Sequence, residues 1–144
     1  MSGYIESYRG HVLASECDVM GHMNVQFYNA CVSQAMGTMF GALGVTPQIM
    51  KETQRGFAAV EQTNRYHAEL LAGDIVHINS GVLKTSSRTI TFQHKLFNSS
   101  TETLSYEATV TAVYMNLEAR KSELLPDALT RKAGTLLLKE GVGA

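Results

Sequence analysis

The stretch Cys17 to Tyr28 (CDVMGHMNVQFY) holds a carboxylate, a glycine, an imidazole and two amides just ahead of a run with helical spacing. A helix that starts at Val25 leaves its first backbone N–H groups without intrahelical acceptors, and its dipole makes that end positive. Asp18 lies seven residues earlier, on a loop able to double back at Gly21, so its carboxylate can face those donors. A carbonyl oxygen held on them would be polarised, and loss of one such donor typically costs about 10² to 10³ in rate. A carboxylate beside that carbonyl has two uses, direct attack or activation of a water. Asp18 equally fits a quieter role, a loop acid that caps its own turn.

The neighbours divide in the same way. His22 is a loop imidazole suited to hydrogen bonding or solvent, and is retained as a substrate contact. Asn24 is the natural N-cap and would act indirectly, by fixing the donors. Gly21 supplies the positive-φ turn and permits close backbone approach. Tyr28, one turn into the helix, either lines a pocket or belongs to the core. The five histidines show no HExxH spacing and the two cysteines form no CxxC, so no metal is expected.

Three- and four-residue spacing of Tyr28, Val32, Ala35, Met36, Met39 and Leu43 predicts a helix over 25–43, ended by Gly44 and Pro47. Its other side carries Ala30, Ser33, Gly37 and Gly41, small or weakly polar, which predicts a helix enclosed on most sides. Strands are expected over 8–15, 56–66, 74–84, 88–97 and 103–115, the last four as an antiparallel meander. A second helix is expected over 127–139 after Pro126, followed by a frayed, glycine-rich end. The order is strand, long helix, four strands. A five-stranded antiparallel sheet wrapped around one helix, with a C-terminal helix added, accounts for it: an α+β hotdog fold. The sheet's edges and outer face then need covering, which predicts a homodimer or homotetramer.

The chain has 144 residues, the span of one domain (1–144, with a core over about 4–120). A formal net charge of −1 argues against a nucleic-acid binder, whose affinity comes mainly from phosphate neutralisation by a basic surface. No apolar run approaches the roughly 20 residues of a membrane span. The N-terminus has an early Glu6 and no basic segment leading into an apolar one, so a cytoplasmic protein with Cys17 and Cys31 as free thiols is expected.

Asp18, Gly21 and Tyr28 reproduce the D-x-x-G-x-x-x-x-x-x-Y signature, and Gly21-His22-Met23-Asn24 its G-H-x-N variant. With Val60-Glu61, the segment YHAELLAGD over 66–74 and the serine turn before Arg88, the chain resembles 4-hydroxybenzoyl-CoA thioesterase-like hotdog enzymes through most of residues 4–120. The resemblance implies a cofactor-free acyl-CoA thioesterase, with Asp18 as nucleophile or general base and the amide near Val25 as oxyanion donor. Some relatives carry the acid on the long helix, but this one has no Asp or Glu, which leaves Glu61 as the other strand-borne acid. Glu61 fits an ion pair or a substrate contact. For the CoA phosphates the candidates are Lys84, Arg88, Arg120 and Lys121, of which Arg88 follows the serine turn.

The run 18–28 is similar to thioesterases of carnitine breakdown, which hydrolyse betainyl-CoA. A quaternary ammonium must be held by aromatic faces and a carboxylate, types supplied by Phe27, Tyr28, Tyr66 and Glu61, unless those aromatics are core. Two other readings stay open, a non-catalytic acyl-CoA or small-acid binding module and a hotdog hydratase or dehydratase. The latter enzymes usually place a His five residues after the Asp, and here His22 follows by four.

Overall fold

The computed structural model describes residues 3–138. Helix α1 (Val25–Ala42) buries Tyr28, Cys31, Val32, Ala35, Met36 and Met39 as one stripe, and Leu43 caps it. The stripe lies on a curved antiparallel sheet of five long strands: β1 (Ile5–His11), β2 (Arg55–Tyr66), β3 (Ile75–Thr85), β4 (Thr89–Asn98) and β5 (Thr103–Asn116). This is the hotdog fold. The spatial order is β1-β3-β4-β5-β2, with a two-residue β6 (Lys121–Ser122) added to β5. Only β3, β4 and β5 form a meander. β2 returns to the far side of β5, so β1 and β2 are the two edges, against the expected four-strand run.

Strand alternation sets the core. Ile90, Phe92, His94 and Leu96 on β4, and Tyr106, Ala108, Val110 and Ala112 on β5, face the helix and are almost wholly buried. The one imidazole in this layer is accommodated by a chain of partners. Ser7 Oγ lies 2.6 Å from Ser80 Oγ, and Ser80 Oγ 2.6 Å from His94 Nδ1. His94 Nε2 sits 3.1 Å from the Met36 sulfur, a weak acceptor, so Nε2 carries the proton and Nδ1 accepts from Ser80. Burial holds this imidazole down at about 4, which keeps it neutral.

Several boundaries differ from the sequence expectation for physical reasons. β1 starts at Ile5 and ends at His11, because Ala14–Glu16 closes into a 3₁₀ turn toward the site loop. Pro47 does not merely stop α1. It opens a short helix, α2 (Pro47–Thr53), whose N-cap Thr46 accepts from the Ile49 N–H at 3.2 Å. The C-terminal helix, α3, covers Asp127–Gly134 and does not run on toward Lys139, since Leu136 and Leu138 hydrogen-bond Val82 on β3. Lys139 and the glycine-rich end lie outside the described residues.

Two surfaces also differ. Ala30, Ser33, Gly37 and Gly41 on α1 are exposed, so one side of the helix is open in the single chain. The outer face of β4 and β5 is largely polar. There Gln93 Nε2 donates to Glu107 at 2.9 Å, and Thr109 Oγ1 donates to Gln93 at 2.8 Å. Among the described residues no helix is long and apolar enough to cross a membrane.

Candidate active site

Residues 17–24 form a miniature hairpin with Val19 and Met20 at its tip. Cys17 and Met23 form a bridge pair, Asp18 N donates to His22 O at 2.9 Å, and Gly21 N donates to Asp18 O at 2.9 Å. Gly21 has φ +84°, the left-handed conformation that lets the chain turn back. The hairpin is anchored on both sides, since Met23 N donates to Leu70 O at 2.8 Å and Asn24 N to Glu16 O at 2.8 Å.

Within this loop Asp18 caps its own turn. Its Oδ1 accepts the Met20 N–H at 2.9 Å and the His22 N–H at 3.4 Å, which is the turn-capping role. Among the described residues no hydrogen bond uses Oδ2, which leaves one carboxylate oxygen available. Asn24 is the N-cap, and its Oδ1 accepts from Gln26 N at 3.2 Å. The Val25 N–H has no hydrogen-bond partner among the described residues. Val25 itself is exposed.

Asp18, His22, Val25, Tyr28 and Tyr66 line one open cavity of about 360 Å³ at the start of α1, together with Met23, His67, Ala68 and Glu69. Tyr66 meets the Tyr28 ring edge-on at 5.3 Å, and both rings lie 5.0 Å from Tyr106. Tyr106 donates to Asn64 Oδ1 at 2.6 Å, while Gln62 Nε2 joins Asn64 to Asn29 on α1. Burial pushes the Tyr28 phenol upward, so the ring presents a neutral hydroxyl and an aromatic face.

Other sequence candidates are elsewhere. Phe27 packs half-buried against the core and is absent from the cavity wall. Glu61 pairs in register with Thr111 and belongs to the outer face of β2, whereas Tyr66 pairs with Tyr106 on the inner face. Lys84, Arg88, Arg120 and Lys121 cluster at the other end of the sheet, roughly 30 Å from Asp18 at about 3.3 Å per strand residue. Arg88 is engaged there, donating to Ser122 O at 2.9 Å and Ser122 Oγ at 3.2 Å. Within one chain these cations do not meet Asp18.

The sequence reading overlooked Glu69. Its carboxylate lies 3.1 Å from His22 Nε2, and both groups line the cavity. The signal was in YHAELLAGD, where Leu70 and Leu71 pair with Met23 and His22 and so bring residue 69 to the hairpin. Among the described residues no cluster of His, Cys, Asp or Glu has metal-binding geometry. Cys17 and Cys31 are free thiols.

Residues 12–133 match the family model described as the thioesterase-like superfamily. Three solved structures share the fold. SAV2348 of Staphylococcus aureus, solved in complex with CoA, superposes with a TM-score of 0.84 at 16% identity, covering 92% of this chain and 84% of that one. Slr0204 of Synechocystis, a 1,4-dihydroxy-2-naphthoyl-CoA thioesterase, gives 0.79 at 16% identity over 92% and 96%. A thioesterase superfamily protein of Jannaschia sp. CCS1 gives 0.83 at 13% identity over 92% of each. No curated protein sequence matches the chain.

Proposed function

This chain belongs to the thioesterase-like superfamily, and from that premise we propose that it is an acyl-CoA thioesterase that hydrolyses a thioester to a free acid and CoA. One observation carries the reading: a carboxylate with an uncommitted oxygen, Asp18, and an unpartnered helix-terminal amide, Val25 N–H, line the same cavity. A thioester carbonyl oxygen bound to that amide gains charge as its carbon turns tetrahedral, so the donor is worth most in the transition state. Asp18 Oδ2 then either attacks the carbonyl carbon to give an anhydride that water cleaves, or takes a proton from the attacking water. In both routes the C–S bond breaks and CoA leaves as a thiolate, which needs little help from an acid. His22, held by Glu69, contacts the substrate, and Asn24 fixes the donor.

The site is completed by a second copy of the chain. β2 is an edge strand whose residues from Glu61 to Tyr66 are exposed, exposed Val60 adds apolar surface to that edge, and exposed Leu71 adds more beside His22. Antiparallel pairing of two β2 edges about a two-fold axis brings the basic end of each copy toward the Asp18 end of the other. Lys84, Arg88, Arg120 and Lys121 of the second copy then become available to CoA phosphates, which resolves their distance from Asp18 within one chain. A homodimer, or a homotetramer built from it, follows.

For the acyl group, the three-tyrosine cluster and Glu69 favour a cation such as the betainyl group, with Glu69 in the part that the sequence suggested for Glu61. Thiol release measured across short, aromatic, long-chain and cationic acyl-CoAs tests both levels. Turnover of any member supports a thioesterase, and preference for betainyl-CoA supports the cation site. Tight acyl-CoA binding with no release would mark the non-catalytic module instead. Light scattering tests assembly, and an active 15.7 kDa monomer would refute it.

A further inference from the structure

The end of the molecule opposite Asp18 holds a second cavity. The close of α1, helix α2, the start of β2, the end of β5 and helix α3 surround a space of about 320 Å³, walled by Leu43, Val45, Ile49, Tyr114, Ala128 and Leu129. The 18 residues of α1 span about 27 Å, which separates this space from the cavity at its N-terminus. Among the described residues no acid lines it, and the cations that do are Arg55 and Lys132. Arg55 is already committed, with Nε donating to Glu123 at 2.6 Å and Nη1 to the Thr53 and Gln54 carbonyls. Lys132 has no ion-pair partner among the described residues.

We propose that this cavity is a second ligand site, which takes the hydrocarbon chain of a medium-chain fatty acid with the carboxylate at Lys132. The volume lies at the lower end of the range for small-molecule pockets, about 300–1,000 Å³. The apolar wall selects a hydrocarbon and offers nothing like the several donors a nucleotide phosphate requires. Since Glu123 neutralises Arg55, the rim contributes one net positive charge, which complements a single carboxylate.

Calorimetric titration of the full chain with decanoate, below its micelle concentration, tests the site. Saturable binding is expected, and it should weaken at least tenfold in Ala128→Trp, which fills the cavity, and in Lys132→Glu, which reverses its rim charge. Both positions are exposed, so the fold should persist in each, checked by circular dichroism. Decanol, with the same chain and no charge, should bind more weakly than decanoate. Asp18→Asn should leave decanoate binding unchanged. Absence of saturable binding, loss of binding in Asp18→Asn, or indifference to both cavity variants would overturn the proposal. So would a change of oligomeric state in the two variants without decanoate binding, which would make the cavity a subunit contact.

Discussion

Replacement of Val25 by proline deletes one atom group of the proposed oxyanion site and little else. Proline has no backbone N–H, yet it is favoured at the first helical position because that N–H has no intrahelical acceptor. Asn24, at φ −72° and ψ 146°, already occupies the extended region required of a residue before proline. The lost N–H has no partner among the described residues, and the valine side chain is 62% exposed, so the change removes neither a structural hydrogen bond nor core packing. Removal of one oxyanion donor costs about 10² to 10³ in kcat, or roughly 2.7–4 kcal/mol of transition-state stabilisation. Steady-state thiol release should show that loss in Val25→Pro, while Val25→Ala, which keeps the amide, turns over at the wild-type rate. Circular dichroism should report the same helix content in all three proteins. Equal rates for the proline and alanine variants would refute the assignment of this amide.

Three further outcomes follow. Since His94 is held neutral in the fold at about 4, against about 6.5 when unfolded, its contribution is complete above pH 6.5 and is lost as the pH falls. The loss is about 2 kcal/mol by pH 5 and about 3 kcal/mol by pH 4. Urea titrations should show wild type losing that much more than His94→Asn between neutral pH and pH 4, and equal losses would contradict the buried neutral imidazole. Tyr106→Phe removes the 2.6 Å bond to Asn64 while keeping the ring contacts, so unfolding should become easier by about 1 kcal/mol, and an unchanged urea midpoint would show the bond to be energetically idle. Glu69→Gln should raise the KM for a cationic acyl-CoA and spare a neutral one of similar size, whereas Glu61→Gln should alter neither; the reverse pattern would return the role to Glu61.

The local chemistry of the loop was legible because it depends on neighbours in sequence. Asp18, Gly21, Asn24 and Val25 make a turn, a cap and an exposed helix start within eight residues, and the apolar stripe of α1 is read directly from its period. The pairing of strands was less legible. Period-2 patterns say which residues share a face but not which strands are neighbours, so the position of β2 beyond β5 was hidden. Glu61 and Tyr66 are five residues apart on a stretch of β2 with unbroken register, so alternation alone places them on opposite faces. Glu69 escaped notice because its link to His22 joins residues far apart in sequence. Helix α2 is readable from Thr46-Pro47, an N-cap followed by a first-turn proline, a signal that the same proline's role as a stop to α1 conceals.

The central claim is that Asp18 performs the chemistry. Asp18→Asn is suited to test it because the asparagine Oδ1 can still accept the Met20 and His22 N–H groups, which preserves the loop. Thiol release and CoA binding should be measured together on this variant and on wild type. Hydrolysis should fall by roughly 10² or more while CoA affinity stays the same, the loss expected of a positioned acid, base or nucleophile. Turnover at the wild-type rate would remove Asp18 from the mechanism.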